Sequence, residues 1–147
     1  MIKSKIGPIE EEIEEAKDSA NVLYNVLERL KKIIEEGNYK HREILYYSHS
    51  AAEHAESLKR ILYIISTKVR RYIPLGVTSF GDIDVLMAKA GKIVYNFDEI
   101  IRLWDKFAAE DIINELYRVT INSLRDVEEI RRGLNMMIGD YYRPWET

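Results

Sequence analysis

The chain contains no cysteine and no glutamine. Without cysteine there is no disulfide framework, no thiolate metal site and no thiol nucleophile. Only seven glycines and three prolines interrupt it, so long uninterrupted elements are expected. No stretch approaches the roughly 18 consecutive apolar residues that span a bilayer. The first dozen residues hold no apolar core of signal-peptide length and turn acidic by Glu10. A soluble, cytoplasmic protein is therefore expected. The glycine patterns that cradle nucleotides or position a nucleophilic serine are also missing, which leaves those chemistries unsupported.

What is present is typical of a globular helical protein. Hydrophobic residues make up 46% and charged residues 32% of 147 positions, enough for one bundle-sized domain over 1–147. Twenty isoleucines, abundant lysine and glutamate, and the two missing residue types match the bias of hyperthermophile proteins. The net charge of −3 conceals an asymmetry. Residues 1–37 carry six basic and nine acidic side chains, 38–76 seven and three, and 77–147 nine and thirteen. A basic middle between acidic flanks fits either a basic helix packed among acidic neighbours or a nucleic-acid footprint.

Apolar residues recur at spacings of 3 and 4, the signature of amphipathic helices. The first stripe is Ile9, Ile13, Ala16, Ala20, Leu23, Leu27, Leu30 and Ile34, on a helix over roughly 8–36. Pro8 suits its first turn, and Gly37 suits a left-handed stop. Glu10 to Glu15 crowd the positive end of the helix dipole, so that acidic run has a structural reason. The second stripe, Ile44, Ser48, Ala51, Ala55, Leu58, Leu62, Ile65, Val69 and Tyr72, predicts a helix over 39–72 that Pro74 ends. After a loop at 74–82, where Ser79 and Asp82 suit capping, a third helix is expected over 82–107. Its stripe is Ile83, Leu86, Ala90, Ile93, Phe97, Ile100, Trp104 and Phe107, and Gly91 would let a neighbouring backbone approach. A break near 108–111 rests on the improbable length of a single helix and a shift of phase. The fourth stripe, Ile113, Leu116, Thr120, Val127, Ile130, Leu134 and Met137, predicts a helix over 110–138 that Gly139 stops. The fold class expected is all-α, an antiparallel up-down-up-down four-helix bundle with long helices. An aromatic tail follows at 140–147.

Chemistry-bearing residues concentrate on the second helix. Arg42, Tyr46, His49, Glu53, Glu56 and Arg60 recur at 4 and 3 on a face offset from the apolar stripe. That face is what the solvated side of any core helix looks like, with Glu53, Glu56 and Arg60 as rungs of ion pairs. It also offers an arginine, an imidazole and two carboxylates in one column. Arg42 and His49 form an Arg-x6-His pattern that resembles the active-site motif of the HEPN superfamily, although here Glu43 follows the arginine and the motif lies on the second helix. That resemblance implies a helical dimer cleaving RNA without a metal, Arg42 and His49 handling the scissile phosphate across the interface.

Other sites carry less. Glu-x-x-His, which di-iron bundles require, is absent: Asn38, Tyr46 and Ala51 stand three before the histidines. No metal and no cofactor are expected. Lys68, Arg70, Arg71 and Tyr72 are the candidate nucleic-acid contacts, three cations beside an aromatic ring. Tyr141, Tyr142 and Trp145 are candidate partner contacts, because exposed rings seek cover. The leading expectation is a non-enzymatic interaction or assembly protein that binds protein, as a homo-oligomer or with another chain. The ribonuclease and an accessory nucleic-acid-binding protein are the alternatives.

Overall fold

The computed structural model describes residues 2–72, 83–106 and 109–141, with side chains over 9–69, 83–106 and 110–137. Four helices account for almost all of this: α1 (Ile2–Glu36), α2 (His41–Tyr72), α3 (Ile83–Leu103) and α4 (Ala109–Tyr141). Each packs on its neighbours in sequence, and α1 closes the ring against α4, which is the expected up-down-up-down antiparallel bundle.

The stripes read from the sequence form the core. Ile9, Ile13, Ala16, Ala20, Leu23, Leu27 and Leu30 on α1 are fully buried, as are Ile44, Ser48, Ala51, Ala55, Leu58, Leu62 and Ile65 on α2. On α3 the buried set is Ile83, Leu86, Ala90, Ile93, Phe97 and Ile100; on α4 it includes Leu116, Thr120, Val127, Ile130, Leu134 and Met137. Each large aliphatic side chain withdrawn from water contributes about 1.5–3 kcal/mol. The buried hydroxyls do not stay unpaired. Ser48 Oγ donates to the Ile44 carbonyl at 2.9 Å and Thr120 Oγ1 to the Leu116 carbonyl at 2.7 Å, each within its own helix. At the end of α1 the stripe steps by three, so Ile33 is buried while Ile34 is only partly covered.

Gly37 terminates α1 as expected. Its φ of 75° is left-handed, and its N–H reaches the Ile33 and Ile34 carbonyls at 3.3 and 3.2 Å. Several boundaries differ from expectation. α1 starts at Ile2, so Pro8 lies inside the helix, where it removes one intrahelical bond to Ser4. α2 starts at His41, because the Lys40 carbonyl accepts the first bonds, from Glu43 and Ile44 at 3.0 and 3.1 Å. α3 stops at Leu103, and tight bonds from Trp104 to Ile101 and Lys106 to Leu103 turn the chain. The Trp104 ring meets the His41 ring edge-on at 6.1 Å, so α3 ends level with the start of α2, at the end of the bundle. α4 runs through Gly139 to Tyr141, with Gly139 in ordinary helical conformation.

The close approach expected at Gly91 is found at Gly133 instead. A methyl at Gly91 would meet only the Lys59 side chain, at 3.8 Å, so no backbone approaches there. At Gly133 it would stand 2.7 Å from Leu86 Cδ1 and 2.9 Å from Cδ2. The close seam is α3 against α4, not α3 at Gly91. The Pro74 stop, the 74–82 loop with Ser79 and Asp82, Phe107 and most of the aromatic tail lie outside the described residues.

Candidate functional site on the outer face of α2

The antiparallel register of α2 and α3 is fixed by three contacts. Ser66 Oγ lies 3.5 Å from Asp84 Oδ1, Lys59 reaches Gly91, and His41 meets Trp104. That register sets Glu56 level with Val94. Between the two helices opens a surface groove of about 410 Å³, lined by His49, Ala52, Glu53, Glu56, Ser57 and Arg60 from α2 and by Val94 and Asp98 from α3. Four of the six residues in the polar column therefore line the groove. Arg42 and Tyr46 share the outward face but lie beyond it.

Arg42, Tyr46, His49, Glu53 and Arg60 are exposed, and Glu56 is half-buried, which places the column on the wet side of the helix. Arg42 and His49 stand seven residues apart, about 10 Å along the axis, both facing solvent. The rungs of ion pairs expected among Glu53, Glu56 and Arg60 do not form. Elsewhere such rungs are common: Glu14–Lys17, Glu99–Arg102, Glu115–Arg118 and Glu128–Arg131 each close at i, i+3. Hydrogen bonds from Arg102 and Arg118 hold the carboxyls of Glu99 and Glu115 below their usual pKa. Among the described residues, the outer face of α2 carries no closed ion pair of this kind.

Aromatic side chains surround the groove. Tyr46, Tyr63 and Tyr95 are 67%, 61% and 64% exposed, and Ile64 is 40% exposed. Each lies within one helical turn of a residue lining the groove. Tyr46 leans edge-on against Tyr47, ring centres 5.2 Å apart. Among the described residues, the other large exposed apolar side chains, Val22, Val85 and Met136, are scattered over α1, α3 and α4. Sequence reasoning did not find Tyr63, Tyr95 or Asp98 for this site. The signal was an aromatic at an outward position of each of two helices, which only their register brings to one groove.

The other candidates are placed as follows. Lys68 Nζ lies 2.5 Å from Glu12 Oε1 in the seam between α1 and α2, so this cation is already matched by a carboxylate. Arg70, Arg71 and Tyr72 end α2, and Tyr141 ends α4, with their side chains outside the described residues; Tyr142 and Trp145 lie outside them altogether. His41 packs on Trp104, and His54 is half-buried beside the core stripe, as expected of a boundary residue. Among the described residues no group of three or more potential ligands could hold a metal ion, and no helix is long and apolar enough to cross a membrane.

One charged network escaped the sequence reading. Asp126 is buried on α4, between Lys89 at 3.9 Å and Lys92 at 3.3 Å from α3, and Lys89 also meets Glu129 at 2.6 Å. The hydrogen bond between Lys89 and Glu129 raises the lysine pKa and lowers that of the carboxyl. These groups tie α3 to α4 on the side away from the groove. No family model, no curated protein and no solved structure matches the chain.

Proposed function

We propose that this protein is a non-enzymatic helical-bundle interaction protein that binds protein through the outer face of α2 and α3. The observation that carries this reading is the group of three tyrosines, each more than 60% exposed, around a groove lined by both signs of charge. Tyrosine buries a large area with few torsions to freeze, and arginine beside it is the other residue enriched at binding hot spots. Photo-crosslinkers at Tyr63 and Tyr95 should each give a discrete protein adduct, with Val22 and Met136 as exposed controls giving none. Equal adducts from all four positions, or none from any, would refute the assignment.

The second reading is a metal-independent ribonuclease using Arg42 and His49, supported by their sharing one accessible face of α2. It requires RNA cleavage in the presence of chelator that His49→Ala abolishes while the helical circular dichroism is retained. Nucleic-acid binding through Arg70, Arg71 and Tyr72 is the third, with Lys68 a weaker contributor while Glu12 holds it. Its mark is an affinity that falls steeply with salt. The composition further supports a thermophilic source.

A further inference from the structure

We infer that the occupant of the α2–α3 groove is an arginine-bearing segment of a partner protein, its guanidinium held between the carboxylates of the two helices. This rests on the protein-binding reading above and names the chemistry of the partner. Two observations carry it, the sorting of charge between the groove and the rest of α2 and the side chains that the register places on each wall.

Residues 38–76 are the basic part of the chain, with seven basic and three acidic side chains. The groove inverts that balance. Two of the three acids, Glu53 and Glu56, line it, and α3 adds Asp98. Among the described residues, Arg60 is the one base of that stretch in the lining, while Lys59 and Lys68 of the same helix lie outside it. Three carboxylates therefore stand against one guanidinium, and the groove attracts cations although the segment around it is basic.

The contacts that fix the register, Lys59 on Gly91 and Ser66 beside Asp84, set Asp98 level with Ala52 and next to Glu53. Glu53 and Glu56 stand one turn apart on the α2 wall, and Asp98 lines the opposite wall. Ala52 is buried and Val94 half-buried, so the lining between the carboxylates is apolar. Arg60 stands at the far end, seven residues and about 10 Å along the axis from Glu53. Arginine suits this arrangement better than lysine. Its methylenes cover an apolar floor while its planar fork meets carboxylates on two sides. Tyr95, adjacent to Val94 and 64% exposed, offers a ring on which the guanidinium plane stacks. At about 410 Å³ the groove is near the lower end of the roughly 300–1,000 Å³ that ligand pockets occupy, so it takes side chains of a partner's segment and not a folded element.

The test is fluorescence anisotropy on the full chain with short labelled glycine-serine peptides that carry arginine, lysine or glutamate at the same positions. The arginine peptide should bind at least about threefold more tightly than the lysine peptide and about tenfold more tightly than the glutamate peptide. Asp98→Asn, Glu56→Gln and Tyr95→Ala should each weaken that binding by at least about threefold, with helicity unchanged. Glu11→Gln, which removes an equal charge from an exposed position of α1, should leave it as it is. No binding of the arginine peptide below about 1 mM, equal binding of the lysine peptide, or an equal loss from Glu11→Gln overturns the proposal. Discrete protein adducts from Tyr63 and Tyr95 alongside such a failure would still uphold protein binding, with a partner of other chemistry. Self-association of the chain that Asp98→Asn and Glu56→Gln abolish would overturn the arginine-bearing segment as the occupant.

Discussion

Replacing each of two helical glycines by alanine should move stability in opposite directions. Gly91 and Gly133 both lie inside helices, where alanine is favoured by about 0.8–1 kcal/mol. At Gly91 the new methyl meets Lys59 carbons at 3.8 Å, ordinary van der Waals contact, so Gly91→Ala should keep that gain. At Gly133 the methyl falls 2.7, 2.9 and 3.3 Å from Leu86 Cδ1, Cδ2 and Cγ. Both methyls are struck and the branch point is crowded, and Leu86 is buried, so it must shift within a packed core to make room. Overpacking of this kind costs about 1–3 kcal/mol, which exceeds or cancels the propensity gain. Gly133→Ala should therefore be neutral to about 2 kcal/mol destabilising, and the two variants should differ by about 1–3 kcal/mol. Guanidinium unfolding followed by circular dichroism measures both. In a Leu86→Ala background the obstacle is gone, and Gly133→Ala should become stabilising, a coupling that a double-mutant cycle isolates. Equal stabilisation by both alanines in the wild-type background would refute the account of the α3–α4 seam.

Phe97→Ala, at a fully buried position, should cost about 3–5 kcal/mol in the same assay, whereas Tyr95→Ala two residues earlier should stay within about 0.5 kcal/mol. Lys89→Ala should show a pH-dependent deficit. The lowered pKa of Glu129 contributes stability present above its unfolded value and lost on acidification; the raised pKa of Lys89 contributes stability present below its unfolded value and lost in alkali. The gap between wild type and variant should thus be widest from about pH 5 to 10 and narrow at either side, and a gap independent of pH would contradict the pairing. Removing Lys68 by Lys68→Met should leave Glu12 as a largely buried carboxylate without its cation, destabilising more than Lys17→Met, whose partner Glu14 is exposed.

The core was legible because burial follows the helical period: Leu23, Leu27 and Leu30 announce one face whatever the rest of the chain does. Gly37 was legible for a local reason too, since only a left-handed residue satisfies the last carbonyls of α1. The outward column from Arg42 to Arg60 followed as the complement of the stripe. What could not be read depends on register between helices. Trp104 carries no glycine or proline signal, and α3 ends there because His41 marks the end of the bundle at that level. Gly91 and Gly133 look alike along the chain, and only Leu86 tells them apart. Val94 and Asp98 join the groove because Glu56 lies opposite them, and Asp126 finds Lys89 and Lys92 for the same reason.

The ring of packed helices has a kinetic consequence. Three of its four seams, α1 on α2, α2 on α3 and α3 on α4, join elements adjacent in the chain, and only α1 against α4 joins distant ones. Local hairpins close at small entropic cost, while the fourth seam must gather ends separated by most of the sequence, a cost that grows only with the logarithm of that separation. Few distant pairings make for quick folding. The Tyr24 ring under Arg131 at 4.7 Å and the Tyr117 hydroxyl on Glu35 at 2.5 Å then act as the clasp of a strand of beads already half folded, and it is at this clasp that the bundle has least local chain to hold it shut.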